Sequence, residues 1–271
     1  MNKYIIYQGS GGLIHLLGGL VYCCEYVYKN RQYNLIIDIK NHEAFKNYFK
    51  TYFDLNLINY SENYSDIQNI NHYRRIPLDE FNKRNVEYIE NKGYIFEYEN
   101  KIVNIGLSLE KNKNDNIIFY AGNGGNSRNL ILKYIKCNTY IKNILKSKYK
   151  LSQNYIAVHF RNTDRNNDIN IFINEIKKYK DYLIYIATDD IKAIDIFKKN
   201  LIDYNILYYN KPFDANGKNI HFNNPDKDNV IMSVLIDMFM MYNSNIFIPS
   251  ENSLVSRLVL YMRKNNKSIF D

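Results

Sequence analysis

The sequence predicts an α/β protein of two lobes, each built on parallel strands. Three observations carry that expectation. Short β-rich runs alternate with segments of helical spacing along most of the 271 residues, the pattern of parallel strands joined by crossover helices. A glycine-rich turn, Gln8-Gly9-Ser10-Gly11-Gly12, follows the first run and opens a helix. The length is generous for one simple domain and suits two lobes of about 130 residues each.

The first lobe begins with the strand Tyr4-Ile5-Ile6-Tyr7, the glycine turn, a helix over 13–29 and a second strand over 34–38. Helical spacing continues over 42–53, and the polar, Asn-rich stretch 58–75 reads as loop. Strands are expected at 94–96 and 101–103, and a buried one at 117–121, ending in Gly122-Asn123-Gly124-Gly125-Asn126. A single helix is expected over 129–148, which sets the lobe boundary near 150: residues 1–150 form one lobe and 151–271 the other. The second lobe is more regular. Strands at 155–160, 182–187, 205–209 and 245–248 alternate with helices that reach about 180, 201, 242 and 264. Asp228 is the expected cap of the third of these helices.

Composition limits the functional classes. Hydrophobic residues at 46% support a sizeable core, and charged residues at 24% are ordinary for a globular protein. Asn, Ile, Lys and Tyr are dense everywhere, Trp is absent and Pro numbers 4, as AT-biased coding would produce, so Lys runs and Tyr counts carry little functional signal. The net charge of +8 and pI near 9.0 suit a phosphate-bearing partner. The basic residues form no dense block, which argues against nucleic acid. Cys23, Cys24 and Cys137 make neither a disulfide framework nor a zinc spacing. With no signal peptide and no apolar run of spanning length, the expected location is cytoplasmic.

In an open parallel sheet, ligands bind beyond the carboxyl ends of the strands at a topological switch point. Three strands end in polar clusters there: His159-Phe160-Arg161-Asn162-Thr163-Asp164-Arg165, Thr188-Asp189-Asp190 and Ser250-Glu251-Asn252-Ser253. The forked guanidinium of Arg161 suits a diphosphate; the alternative is a structural pair with Asp164. His159 is a site residue or a satisfied core histidine. Asp189 and Asp190 can accept hydrogen bonds from a base or ribose, or cap the next helix. Ser253, with Ser250 and Asn252, opens a helix whose N-terminus can hold an anion, or serves in ordinary capping. Asp237, on an apolar helix, is expected to be a structural acid, with the Ser253 turn as its candidate partner.

These clusters, in this order, resemble the motifs of GDP-fucose-dependent fucosyltransferases. Ile156 to Asp164 resembles the H-x-R-x-x-D motif of the α1,2-, α1,6- and protein O-fucosyltransferases, and Tyr185 to Asp190 resembles their second motif. Asp237-Met238-Phe239 and Ser250 to Leu258 resemble the third, a helix, strand, Ser-containing turn and helix. The likeness covers about residues 150–262. The opening Gly11-Gly12-Leu13, with His15, is similar to the start of these enzymes.

The resemblance implies a GT-B-like architecture, two Rossmann-like lobes facing a cleft, and an inverting, metal-independent glycosyltransferase. GDP-fucose is the implied donor substrate, no cofactor is expected, and a glycan hydroxyl is the acceptor. Arg161 would compensate charge on the diphosphate, with His159, Asp164 and Arg165 beside it. Asp190 or Asp189 would read guanine, and Ser253 with its turn would hold phosphate. Gly11, Gly12 and His15 would line the cleft on the acceptor side. Two departures stand out. Many members carry a second arginine where this chain has Asn162, a loss that Arg165 can restore. The α1,6 enzymes place a Glu beyond the motif as a candidate base, and the nearest acid here is Asp168, just short of that position. The alternatives are another nucleotide-sugar donor, or a nucleotide- or glycan-binding protein of this fold without turnover.

Overall fold

A computed structural model of the chain describes residues 3–9, 11–39, 42, 45, 47–63, 87–89, 93–98, 101–106, 109, 117–120, 127–162, 167–211 and 226–271. The chain forms two compact units, Met1–Lys136 and Cys137–Asp271. The sequence-derived boundary near 150 therefore falls too late. The expected helix over 129–148 is two helices with a strand between them, and the units divide in that strand. Asn138 explains the break: its side chain accepts from the Ile141 backbone N–H at 2.9 Å and starts a new helix.

In the first unit, β1 (Lys3–Tyr7) leads to α1 (Leu13–Lys29) and β2 (Tyr33–Ile37). There follow a turn of 3-10 helix at Phe49–Thr51, then β3 (Phe53–Leu55), β4 (Tyr60–Ser61), β5 (Glu87–Ile89), β6 (Gly93–Tyr98), β7 (Lys101–Gly106) and β8 (Ile117–Tyr120). Helix α2 (Arg128–Tyr134) and β9 (Ile135–Cys137) close it. The main sheet runs β4-β2-β1-β8-β7-β6-β5. β1 pairs parallel with β2 and β8, but β6 pairs antiparallel with β5 and β7. The sheet is thus mixed rather than parallel throughout. Only Glu99 and Asn100 separate β6 from β7, too few residues for a crossover.

The helix expected over 42–53 is absent from the described residues there. Phe45, Phe49 and Phe53 repeat every four positions, yet the period marks an aromatic cluster. Phe49 stacks on Phe53 with centroids 5.3 Å apart, and Phe45 meets Tyr52 edge-on at 5.3 Å. Tertiary packing has overridden the helical period. Of the loop expected over 58–75, Tyr60–Ser61 is strand and pairs with β2; residues 64–75, like 122–126, lie outside the described residues.

The second unit contains α3 (Thr139–Tyr149), β10 (Tyr155–Phe160), α4 (Ile169–Ile176), β11 (Leu183–Thr188), α5 (Ile191–Asn200), β12 (Ile206–Leu207), α6 (Lys227–Asn243), β13 (Ile246–Ile248) and α7 (Leu254–Asn265). Its sheet runs β12-β11-β10-β13 and every pair is parallel. β10 and β11 are buried along their whole length, which is why both read as continuous apolar runs. Phe160 packs edge-on against Phe172 of α4 and Phe197 of α5, fixing one layer. Helix α6 is capped by Asp226, whose carboxylate accepts from the Asn229 N–H at 3.1 Å. Asp228, the expected cap, sits in the first turn instead.

The Cys137 N–H donates to the Ile269 carbonyl at 2.6 Å, so the first and last segments of this unit clasp each other. Cys23, Cys24 and Cys137 are free thiols, all buried. Among the described residues no helix is long and apolar enough to cross a membrane.

Candidate functional site

From β10 the chain moves outward through β11 to β12, then returns to the other side of β10 as β13. The switch point of this sheet is therefore between β10 and β13, the place beyond the strand ends where sheets of this kind bind ligands. Arg161 and Asn162 follow β10, Asp189 and Asp190 follow β11, and Ser250 to Ser253 follow β13.

The two carboxylates divide their work. Asp189 is buried, and its Oδ2 lies 3.1 Å from the Arg161 Nε while its Oδ1 accepts the Asn162 N–H at 3.0 Å. Asp190 caps α5 through the Lys192 N–H at 2.9 Å and also accepts from the Asn162 side-chain amide at 2.8 Å. Asn162, read from the sequence as a missing charge, ties the end of β10 to both acids. Arg161 thus has a structural partner in Asp189, where the sequence suggested Asp164. A guanidinium carries five N–H donors, and the Nε contact uses one of them. Asp164 and Arg165 lie outside the described residues.

On the other side of the switch point, Ser250 is fully buried. Its hydroxyl accepts from the Asn167 amide at 3.1 Å, its N–H donates to the Ser256 hydroxyl at 3.0 Å, and its carbonyl accepts the Ser253 N–H at 3.1 Å. The same Asn167 amide donates to the Arg161 carbonyl. Side chains cap the other helices of this unit: Asn138 on α3, Asp168 on α4, Asp190 on α5 and Asp226 on α6. Ser253 opens α7 with no side-chain capping bond and no acid in the first turn. The positive end of that helix dipole is left uncompensated by the helix's own residues, as an anion site requires. Asn252 is exposed beside it.

His159 is a buried member of β10, 8% exposed, with its Nδ1 2.7 Å from the Ser256 hydroxyl. Burial drives its pKa from 6.5 down to about 3; Asp189 opposes the fall, while Arg161 and Lys211 add to it. An unfolded chain therefore takes up a proton below pH 6.5 that the folded protein refuses down to about 3. The stability held above that upper value is lost as pH falls through this window. Between about pH 7 and pH 5 the unfolding midpoint is expected to drop more for the wild type than for His159→Asn. Parallel pH profiles for the two would remove His159 as the cause.

Asp168 accepts from the Asn170 N–H at 2.9 Å and the Asn170 amide at 3.0 Å, so the candidate base serves as the cap of α4. Asp237 is not held by the Ser253 turn. Its Oδ1 accepts from the Tyr185 hydroxyl at 2.7 Å, and its Oδ2 pairs with the Lys211 ammonium. Burial holds its carboxyl above the ordinary range, with Lys211 and Tyr185 pulling back. Sequence reasoning missed Lys211 and Asn167. Neither a lone lysine opening a loop nor an asparagine in an Asn-rich chain stands out.

In the first unit, β2 and β8 flank β1, and Gly11, Gly12 and His15 gather at the N-terminus of α1 just beyond it. Gly11 adopts φ +82°, which favours glycine. A Cβ on Gly9 would sit 2.1 Å from the Tyr7 hydroxyl, which donates to the Leu16 carbonyl at 2.6 Å and locks the turn onto α1. Gly12 is the N-cap, and His15 is exposed in the first turn.

Two units, each carrying a β-strand, a polar or glycine-rich turn and a helix without a side-chain cap, define an α/β fold built on parallel strand–turn–helix units. Comparison with known protein families gives no match, and no curated protein matches. Solved structures do. The chain aligns with the NodZ fucosyltransferase from Bradyrhizobium at TM-score 0.56 and 16% identity, covering 96% of this chain and 92% of that one. The NodZ alpha-1,6-fucosyltransferase soaked with GDP-fucose aligns equally well, also at TM-score 0.56 and 16% identity. POFUT1 in its apo form aligns at TM-score 0.56 and 12% identity, covering 97% and 95% of the two chains. The fold is that of fucosyltransferases, as the sequence motifs led us to expect.

Proposed function

We propose that the chain is a glycosyltransferase of GT-B type whose C-terminal unit binds a nucleotide-sugar at the β10–β13 switch point. The expected donor is GDP-fucose and the acceptor a glycan hydroxyl. The observation that carries this reading is the pairing of a buttressed cation with an uncapped helix. Arg161, held through Nε by Asp189, and the N-terminus of α7 at Ser253 are joined through Asn167 and Ser250 at a single crevice. Together they suit a diphosphate. Structures of this fold solved with GDP-fucose support the donor.

In this reading the acceptor hydroxyl attacks the sugar C1 and the GDP oxygen leaves, inverting the centre. Arg161 and the α7 N–H groups take up the charge that develops on the diphosphate, with no metal needed for that role. Asp190, half exposed, keeps acceptor capacity beyond its two bonds and serves as the guanine reader. Asp168 is the base, and Gly11, Gly12 and His15 belong to the acceptor side. One observation favours a second reading, a GDP-sugar-binding protein without turnover: Asp168 already spends its Oδ1 on capping α4.

Calorimetric titration with GDP, GDP-fucose, UDP and CDP tests the proposal. Selective binding of the two guanine ligands is expected. No binding of any of them at millimolar concentration by the folded protein would refute it. GDP binding without transfer to any acceptor in a broad glycan panel would favour the second reading.

A further inference from the structure

The hydrogen bonds at the switch point close into a ring. Asn167 donates one amide hydrogen to the Arg161 carbonyl and the other to the Ser250 hydroxyl. The Ser250 N–H reaches the Ser256 hydroxyl, and that hydroxyl bonds the His159 Nδ1, two residues before Arg161 on the same strand end. Ser250 and Ser256 have no exposed surface. Water cannot readily replace a lost partner there, so breaking the ring leaves polar groups unsatisfied. The ring spans the ends of β10 and β13 and is bridged twice from outside the sheet, by Ser256 of α7 at His159 and by Asn167 at Arg161.

We propose that Asn167 is a positioning residue of the nucleotide site: by holding the Arg161 backbone to the Ser250 turn, it sets the distance between the Arg161 side chain and the N-terminus of α7, so that both engage one diphosphate. The inference rests on the nucleotide-binding reading above. It concerns the phosphate end of the ligand alone, because Asn167 bonds the backbone that carries Arg161 and the turn that leads into Ser253, while the expected base reader, Asp190, is held by Asn162 and α5.

That separation supplies the test. GDP and guanosine are titrated into the full-length wild type, Asn167→Ala and Ser250→Ala, with unfolding midpoints measured alongside. Each variant is expected to weaken GDP about five- to tenfold, the size of one lost buried hydrogen bond, and to leave guanosine affinity unchanged. Ser250→Ala opens the same link from the other side and serves if Asn167→Ala does not fold. Equal weakening of GDP and guanosine would mean a merely structural role and overturn the proposal. So would unchanged GDP affinity in a folded variant, with the nucleotide-site reading left standing. A folded wild type that binds neither ligand would bring down that reading itself, and the role of Asn167 with it.

Discussion

Arg161→Ala is expected to lower transferase turnover by about 10²–10³, the usual cost of removing one preorganised charge contact from a transition state. The variant also removes the guanidinium that pairs with Asp189, a buried carboxylate that accepts the Asn162 N–H. An uncompensated buried carboxylate can cost about 3–5 kcal/mol, so lost activity alone would be ambiguous. The double substitution Arg161→Met with Asp189→Asn resolves it. The new amide still accepts the Asn162 N–H, no charge is left unpaired, and stability should return toward the wild type while activity does not. Circular dichroism and a GDP-fucose transfer assay on both variants read the two effects apart. A double variant that regains both stability and turnover would show that Arg161 serves the fold and not the reaction.

The largest effect on stability alone is expected at Lys211. Its ammonium pairs with Asp237 in a site where the two side chains are 5% and 11% exposed. Lys211→Met leaves that carboxylate facing only the Tyr185 hydroxyl, and the unfolding free energy should fall by about 3–5 kcal/mol. Lys211→Met with Asp237→Asn should recover most of it, because the amide oxygen can still accept from Tyr185 and no charge remains to be compensated. Urea unfolding of the three proteins is the measurement. A Lys211→Met midpoint equal to the wild type would mean that the pair contributes nothing net. Asp237 belongs to α6 and Tyr185 to β11, so the expected loss is one of helix-to-sheet packing, distinct from the ligand-binding loss at Arg161.

What the sequence made legible follows from how locally each feature is encoded. β10 and β11 announce themselves as apolar runs because they are buried along their whole length, and the polar residues that follow β10, β11 and β13 mark the switch point. The helix break at residues 135–137 was hidden, since Leu130, Tyr134, Ile141 and Leu145 keep a helical period through it. Only the capping role of Asn138 betrays the restart, and in a chain so rich in Asn one more carries little weight. The cluster of Phe45, Phe49 and Phe53 misled for the same reason: period 4 can be satisfied by aromatic packing without a helix. At the site, the residue types were readable but their partners were not. Arg161 to Asp189, Asp237 to Lys211 and Asn167 to Ser250 each join residues at least 26 positions apart, and no single-chain spacing rule reaches that far.

The clasp between Cys137 and Ile269 bears on how the molecule is made. A ribosome releases β10 long before β13, the strand that pairs with its second edge, and the bond that fastens the unit waits for Ile269. At about 5–20 residues per second, several seconds separate the two strands. Throughout that interval the apolar run Tyr155–Phe160 presents an open edge to solvent or to other nascent chains. The first unit, whose strands are all upstream, is free to fold in the meantime. The second cannot close its sheet until β13 has been made, and its yield depends on what shields that edge while it waits.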